Sequence, residues 1–250
     1  MTKKNNTSIS RVLVIGGTSE IGKEVISSLA RDDYLIDFTY FTNTNCKDEI
    51  SAEIKFTNSF KVNLTDLDAV TDFLNEITDI NYDTVIYCPG ENPCKLCHDL
   101  SPDDITRITN LNFVSPTLIF THLSKKMVES KEKDNMLIYL SSISSDKASI
   151  GDSVYGATKI ATERYLASLS LELARFNVRT LCISPGFVDT KMMHDCREVS
   201  GTSYNDILRS IPARKMLHTS DVAKVTAFFI KNKNITTGNT IIIGNGEKVF

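Results

Sequence analysis

Arg11-Val12-Leu13-Val14-Ile15-Gly16-Gly17-Thr18-Ser19-Glu20-Ile21-Gly22 is the stretch on which the fold turns. The aliphatic run at 12–15 is too short for a buried helix and suits a buried strand. It stops at Gly16 and Gly17, and beyond them Ile21, Val25, Ile26 and Leu29 recur at helical spacing through residue 30. A strand that passes through a glycine turn into an amphipathic helix is the first half of a βαβ unit. Such a turn needs glycine where the backbone takes positive φ or must approach a ligand closely. The helix start that follows presents unpaired N–H groups and a partial positive charge, the physical basis for holding a pyrophosphate. Gly16, Thr18, Ser19, Glu20, Ile21 and Gly22 are therefore the candidate phosphate-loop residues. Glu20 is the awkward member, because a carboxylate beside a phosphate is unfavourable unless it turns away.

The same alternation continues outward. Strands are expected at 35–41, 60–62, 85–88, 136–140, 178–183 and 240–243. Helices are expected at 66–78, from Ser101 toward Lys131, at 153–176 and at 220–230. Ser101-Pro102-Asp103-Asp104 has the chemistry of a helix start: an N-cap serine, proline at the first helical position and acids in the first turn. Strands alternating with helices imply right-handed crossovers and a parallel, doubly wound sheet, a Rossmann-type α/β fold in a single domain over 1–250. Residues 1–10 read as a polar tail. The polar 191–214 stretch contains no strand, and 187–214 reads as an insertion covering the ligand crevice.

Composition narrows the class. With 28 Lys+Arg against 31 Asp+Glu the net charge is -3, which argues against coating nucleic acid or an anionic membrane. The longest unbroken apolar run, 136–140, falls far short of the ~20 residues of a membrane-spanning helix. No apolar stretch in the first ten residues could serve as a signal peptide, so a cytoplasmic location is expected, where the six cysteines need not pair. Cys94-Lys95-Leu96-Cys97-His98 matches the covalent haem spacing, but that attachment follows export, and no second cysteine pair stands nearby to make a zinc site. An ordinary loop is the plain reading there, and a redox-sensitive surface thiol the sharper one. No metal is expected.

Tyr155 and Lys159 lie four apart in a helical segment and share a face. A tyrosine hydroxyl with a pKa of about 10 transfers protons poorly near neutrality. A lysine ammonium beside it would stabilise the phenolate and bring that value down. Ser141 and Ser142 stand at the carboxyl end of the 136–140 strand, where ligand sites of α/β sheets lie. At the end of the second strand, Tyr40 and Phe41 occupy the place where a dinucleotide's adenosine ribose would be read. The lack of an acid there leans toward NADP(H) over NAD(H), although no arginine is present to clamp a 2′-phosphate, and Asp37 lies too deep in the strand.

In this order and spacing, Gly16 to Gly22, Ser142, Tyr155-x-x-x-Lys159 and Ser184-Pro185-Gly186 resemble the short-chain dehydrogenase/reductase family, over residues 11–246. The resemblance implies a Rossmann-type fold, a nicotinamide cofactor and hydride transfer between a carbinol and a carbonyl. It implies Tyr155 as general acid/base, Lys159 as the group that lowers its pKa and holds the nicotinamide ribose, and Ser142 as the hold on the substrate oxygen. Implied cofactor contacts extend to Asn63, Leu64, Gly90, Pro185, Gly186, Val188 and Thr190.

The family's fourth residue is an asparagine in the helix after strand four, for which Asn110 and Asn112 are candidates. Asn112-Phe113-Val114-Ser115-Pro116 fits the family pattern better. Pro116 has no N–H, so the Asn112 carbonyl loses its helical partner. In the family that carbonyl holds a water of the proton relay to the lysine. Departures from the pattern are Ile15 and Glu20 in the glycine motif, Tyr87-Cys88-Pro89-Gly90 after strand four, Asn63 in place of an aspartate facing adenine, and Asn245-Gly246 near the end.

Within the family the chain is most similar to 3-oxoacyl-carrier-protein reductases, which implies reduction of a 3-oxoacyl thioester or polyketide-type ketone to a secondary alcohol in fatty acid or polyketide biosynthesis. The alternatives are a non-catalytic dinucleotide sensor of the same fold, or an alcohol, sterol or sugar dehydrogenase working oxidatively. Lys125, Lys126, Lys131 and Lys133 form a basic run at a helix end, which reads plainly as a solvated face that suits the helix dipole. The sharper reading is that Lys133 and Arg175 suit an acidic acyl-carrier partner. Phe187, Met192 and Met193 would line an apolar substrate pocket or pack the cover. A homodimer or homotetramer is implied, with 237–250 between subunits.

Overall fold

Residues 10–54, 58–130 and 134–247 are described by a computed structural model. Strands β1 (Ser10–Ile15), β2 (Tyr34–Tyr40), β3 (Ser59–Lys61), β4 (Thr84–Tyr87), β5 (Asn135–Leu140), β6 (Val178–Pro185) and β7 (Asn239–Ile243) form one sheet in the order β3-β2-β1-β4-β5-β6-β7. Every neighbouring pair is parallel. Successive side chains of a strand point to opposite faces, so β1 splits its apolar residues between two cores. Leu13 and Ile15 join one cluster with Val70, Phe73, Leu123 and Leu166, while Val12 and Val14 join another with Val25, Ile26 and Val222. These partners come from α3 (Leu67–Glu76), α5 (Ser115–Glu129) and α6 (Ser153–Leu173) on one side, and from α1 (Glu20–Leu29) and α9 (Thr219–Lys231) on the other. Central strands β4 and β5 are buried along their whole length, which is why they read as unbroken runs rather than as alternation.

Differences from the sequence pattern have local causes. The helix expected from Ser101 toward Lys131 is divided into α4 (Pro102–Thr109), a π turn over Asn110–Val114 and α5. Pro116 cannot donate, and the chain widens there so that the Ser115 N–H donates to the Asn110 carbonyl. An unanticipated helix, α2 (Thr44–Glu53), buries only Cys46 and Ile50, too sparse a stripe to show in the sequence. Its start is capped by the Asn43 side chain, which accepts from Cys46 N–H. The 191–214 stretch is helical, forming α7 (Lys191–Ser200) and α8 (Tyr204–Ser210). Ser10 belongs to β1 rather than to a tail, and α9 is capped by His218 one residue before Thr219. Among the described residues no helix is long and apolar enough to cross a membrane. Residues 248–250 of the expected subunit interface lie outside the described residues.

Candidate active site

A cavity of about 1210 Å³ runs along the carboxyl ends of the strands, beneath α7 and α8. Every site residue singled out in the sequence lines it except Gly22, Asn112 and the alternative Asn110.

Gly22 and Asn112 are packed behind the cavity wall. A Cβ on Gly22 would lie 2.3 Å from the Gly16 carbonyl oxygen, so this glycine lets α1 start directly under the turn. Ser19 completes the turn: its hydroxyl donates to Gly16 O at 2.7 Å and accepts from Gly22 N–H at 3.1 Å. Gly16 itself has φ +71 and leaves no room for a side chain beside Pro89. The Glu20 carboxylate turns away from the loop and accepts from Lys191 N–H at 2.9 Å, so it caps the start of α7 instead of opposing a phosphate.

At the adenosine end, Asp37 is completely buried and fully engaged. Arg11 contacts it at 2.7 Å, Tyr82 donates to it at 2.9 Å and Asn58 N–H at 3.0 Å. It therefore belongs to the framework. The α2 N-terminus faces this end of the cavity through Thr42 and Asn43, and its first turn contains no acid. Lys47 lies 5.9 Å from the Tyr40 ring centroid. Asn63 also lines the wall and accepts from Thr65 N–H and its hydroxyl.

Ser142, Tyr155 and Lys159 converge at the centre. Burial pushes the Tyr155 hydroxyl up to about 12, against the opposing pull of a hydrogen bond from Ser142 and with further upward push from Asp152. Burial likewise pushes the Lys159 ammonium down to about 7, with Glu163 acting against it. The expected lowering of the tyrosine by the lysine is thus not what the structure gives. Both groups are desolvated, and desolvation opposes the charge of each. Lys159 Nζ donates to Leu140 O at 2.9 Å and lies 4.6 Å from the Tyr139 ring centroid and 5.5 Å from that of Tyr155.

Asn112 is fully buried, and its amide ties the β4 loop to α6. Its oxygen accepts from Glu91 N–H, and its nitrogen donates to Glu91 O at 3.0 Å and to the Thr158 hydroxyl at 3.2 Å. Its carbonyl accepts from Tyr139 Oη–H at 2.8 Å and from Thr162 Oγ1–H at 2.9 Å. The single Thr162 hydroxyl proton is shared with Thr158 O, 3.1 Å away. Asn110 instead donates to Thr65 O.

Sequence reasoning missed two carboxylates. Glu163 accepts from the hydroxyls of Ser141, Ser145 and Thr240, and so positions the strand end that carries Ser142. It stands four residues beyond Lys159, and that i,i+4 continuation of the Tyr155–Lys159 stripe was its available signal. Glu247, 3% exposed, accepts from Phe187 N–H and packs against Gly186 and Gly244. Nothing local distinguishes it.

The cover both lines and packs. Phe187, Met192 and Met193 face the cavity, and Phe187 and Met193 also pack against Ile207, Ile211 and Met216. Contrary to the expectation of unpaired cysteines, Cys94 in the loop after β4 is disulfide-bonded to Cys196 on α7, with Cα atoms 5.3 Å apart. A separation of 102 residues hid this pairing until the chain folded. Cys97 begins a short 3₁₀ turn and is exposed. Of the two basic residues considered for a carrier partner, Arg175 lies over the Phe176 ring and Lys133 lies outside the described residues.

Comparison with known proteins adds to this geometry. The family model described as short chain dehydrogenase matches residues 10–200. An uncharacterized oxidoreductase, YmfI, of Bacillus subtilis (strain 168) is 25% identical over 241 residues, 94% of this chain and 97% of the relative. An acetoacetyl-CoA reductase of Synechocystis is 27% identical over 221 residues, 88% of this chain and 87% of the relative. Among solved structures, ElxO with NADP bound superimposes with a TM-score of 0.85 at 22% identity, covering 97% of this chain and 100% of that one.

Proposed function

The chain belongs to the short-chain dehydrogenase family, and from that premise we propose that it is an NADP(H)-preferring ketoreductase that converts a ketone, such as a 3-oxoacyl thioester, to a secondary alcohol. The observation that carries the reading is the meeting of Ser142, Tyr155 and Lys159 on the wall of a single cavity whose far end is an open helix start. The likeness to an acetoacetyl-CoA reductase supports the substrate class.

The residues present suit a nicotinamide dinucleotide. The α1 start offers N–H groups with its one acid, Glu20, drawn off to α7. Gly90 keeps the wall open beside Lys159, since a Cβ there would stand 3.0 Å from Nζ. With Asp37 consumed, no carboxylate lines the cavity at the end of β2, and the α2 N-terminus favours a 2′-phosphate there, Lys47 being paired with Asp48. When bound, the dinucleotide supplies the hydride.

This chain's residues manage the proton. Burial keeps the Tyr155 hydroxyl protonated near neutrality, so it holds the proton that a carbonyl oxygen would take as the hydride arrives. Ser142, on the same cavity wall as Tyr155 and acting to lower its pKa, orients that same oxygen. Lys159, at about 7, exchanges a proton readily near neutrality and can restore the tyrosine after transfer. Phe187, Met192 and Met193 offer the apolar wall that an acyl chain needs.

The test is Tyr155→Phe. Turnover of acetoacetyl-CoA should fall at least a thousandfold, on the order expected for loss of a general acid with its oriented partner, while NADPH binding by fluorescence titration stays unchanged. Retained turnover overturns the mechanism. Equal affinity for NADH and NADPH overturns the cofactor preference. Wild-type binding of NADPH with no turnover of any ketone favours a sensor.

A further inference from the structure

We propose that Cys94, Cys97 and Cys196 form a thiol–disulfide exchange site at the mouth of the cavity, whose state decides whether α7 is latched over the substrate end. This goes beyond the ketoreductase reading and does not depend on it.

The two ends of the Cys94–Cys196 bond differ in kind. α7 has no fully buried side chain, although Met192, Met193, His194, Cys196 and Arg197 are half-buried. Its non-covalent attachments include the Glu20 carboxylate at Lys191 N–H and the contact of Met193 with the small cluster around Ile211. An element with so little buried apolar contact belongs to the part of a fold that opens most readily. Cys94, in contrast, is built into the wall. Its N–H donates to Asn92 Oδ1 at 3.0 Å, and Asn92 Nδ2 donates to Asp152 Oδ1 at 2.7 Å, three residues before Tyr155. Its backbone is held at φ 51, in the left-handed region, and Gly151 packs so closely that a Cβ would stand 3.3 Å from the Cys94 carbonyl. The bond therefore ties a lightly packed cover, carrying Met192 and Met193, to the rigid wall that carries the reacting tyrosine. Both bonded cysteines line the cavity, so a small thiol can reach them through its mouth.

The remaining cysteines separate clearly. Cys46, Cys88 and Cys182 are buried, and burial pushes each thiol up, Cys88 to about 12. Cys97 is exposed and stands three residues after Cys94. In the exchange, the Cys97 thiolate attacks Cys94 Sγ and the Cys94–Cys97 bond forms. The bond to Cys196 breaks, its electron pair leaves on Cys196 Sγ, and that sulfur takes up the proton Cys97 gave to solvent. No net electrons are consumed. A dithiol reductant instead contributes two electrons and two protons, ends as its own disulfide, and leaves all three thiols free. Either route releases α7.

The experiment maps thiols and follows amide exchange in the full-length protein. After exposure to oxidised glutathione and alkylation at acid pH, peptide mass spectrometry should find Cys94 linked to Cys196. Held at mildly alkaline pH before alkylation, with no reductant, the oxidised wild type should convert in part to a Cys94–Cys97 species with Cys196 free. Cys97→Ser should keep Cys94–Cys196 throughout, while one equivalent of dithiothreitol should free all three thiols of wild type. Amides of 191–200 should exchange about tenfold faster or more in reduced wild type and in Cys196→Ser than in the oxidised protein. Free Cys94 and Cys196 after oxidation overturn the site. An unchanged exchange rate of 191–200 in Cys196→Ser overturns the latch, and failure to detect Cys94–Cys97 overturns the exchange step. None of these readouts uses turnover, so they stand apart from any failure of the ketoreductase reading.

Discussion

Replacing Lys159 by methionine should make the protein more stable near neutrality, by an amount that shrinks as the pH rises. Lys159 is 2% exposed, and burial brings its pKa from 10.5 down to about 7. Below pH 7 the group is charged in both folded and unfolded chains, and the fold bears the whole burial penalty, about 5 kcal/mol. Between 7 and 10.5 the folded protein releases the proton while the unfolded chain keeps it, so wild type gains stability with rising pH, by at most ~1.4 kcal/mol per pH unit. From pH 7 to pH 9 that gain amounts to about 2 kcal/mol. Methionine has similar length and no titration, so the variant lacks this slope. Loss of the donor to Leu140 O costs the variant ~1–3 kcal/mol at every pH, which shifts its curve without tilting it. Urea unfolding followed by circular dichroism at pH 7, 8 and 9 reads the difference directly. The gap between the two proteins should close by a midpoint shift on the order of 1 M urea. Parallel pH dependences would refute the reasoning, because they would mean that Lys159 titrates alike in folded and unfolded chains.

Asp37→Ala should destabilise the protein by about 3–5 kcal/mol, since Arg11 is left beside an empty buried site, while the NADPH-to-NADH affinity ratio stays as in wild type. Chemical unfolding and a cofactor titration read the two parts. Asn112→Ala removes three side-chain hydrogen bonds to Glu91 and Thr158 and should lower stability by about 2–4 kcal/mol, with a fall in kcat that exceeds any change in the Kd for NADPH. Gly22→Ala places a methyl group against the Gly16 carbonyl and should weaken dinucleotide binding at least tenfold, at a stability cost of about 1–3 kcal/mol. Isothermal titration of NADPH is the check, and unchanged affinity would show that the turn tolerates the shift.

Much of the architecture was legible because strand and helix periods are local. The 12–15 and 136–140 runs, the stripe through Ile21, Val25, Ile26 and Leu29, and the Ser101-Pro102 start all correspond to elements of the structure. Errors fell where neighbours in space overrode local pattern. The long helix through 110–114 looked continuous, because the effect of Pro116 depends on which groups take over the freed carbonyl of Asn112. α2 went unseen because only two of its ten residues are buried. At the site, motif order was enough to bring forward Ser142, Tyr155 and Lys159. The protonation of these groups was not legible, because a pKa depends on how much water the fold removes.

The amino-acid sequence by itself determined the alternation of strands and helices, the glycine turn at the start of α1 and the pairing of Tyr155 with Lys159 on one helix face. These follow from backbone sterics and from residue spacing along a regular element. Only tertiary structure decided that Asp37 serves the framework, that Glu20 caps α7, that Tyr139 and Thr162 satisfy the Asn112 carbonyl, and that Cys94 meets Cys196. The physical reason is common to all four: each depends on which distant groups share a small volume once water is expelled, and no local pattern encodes that proximity.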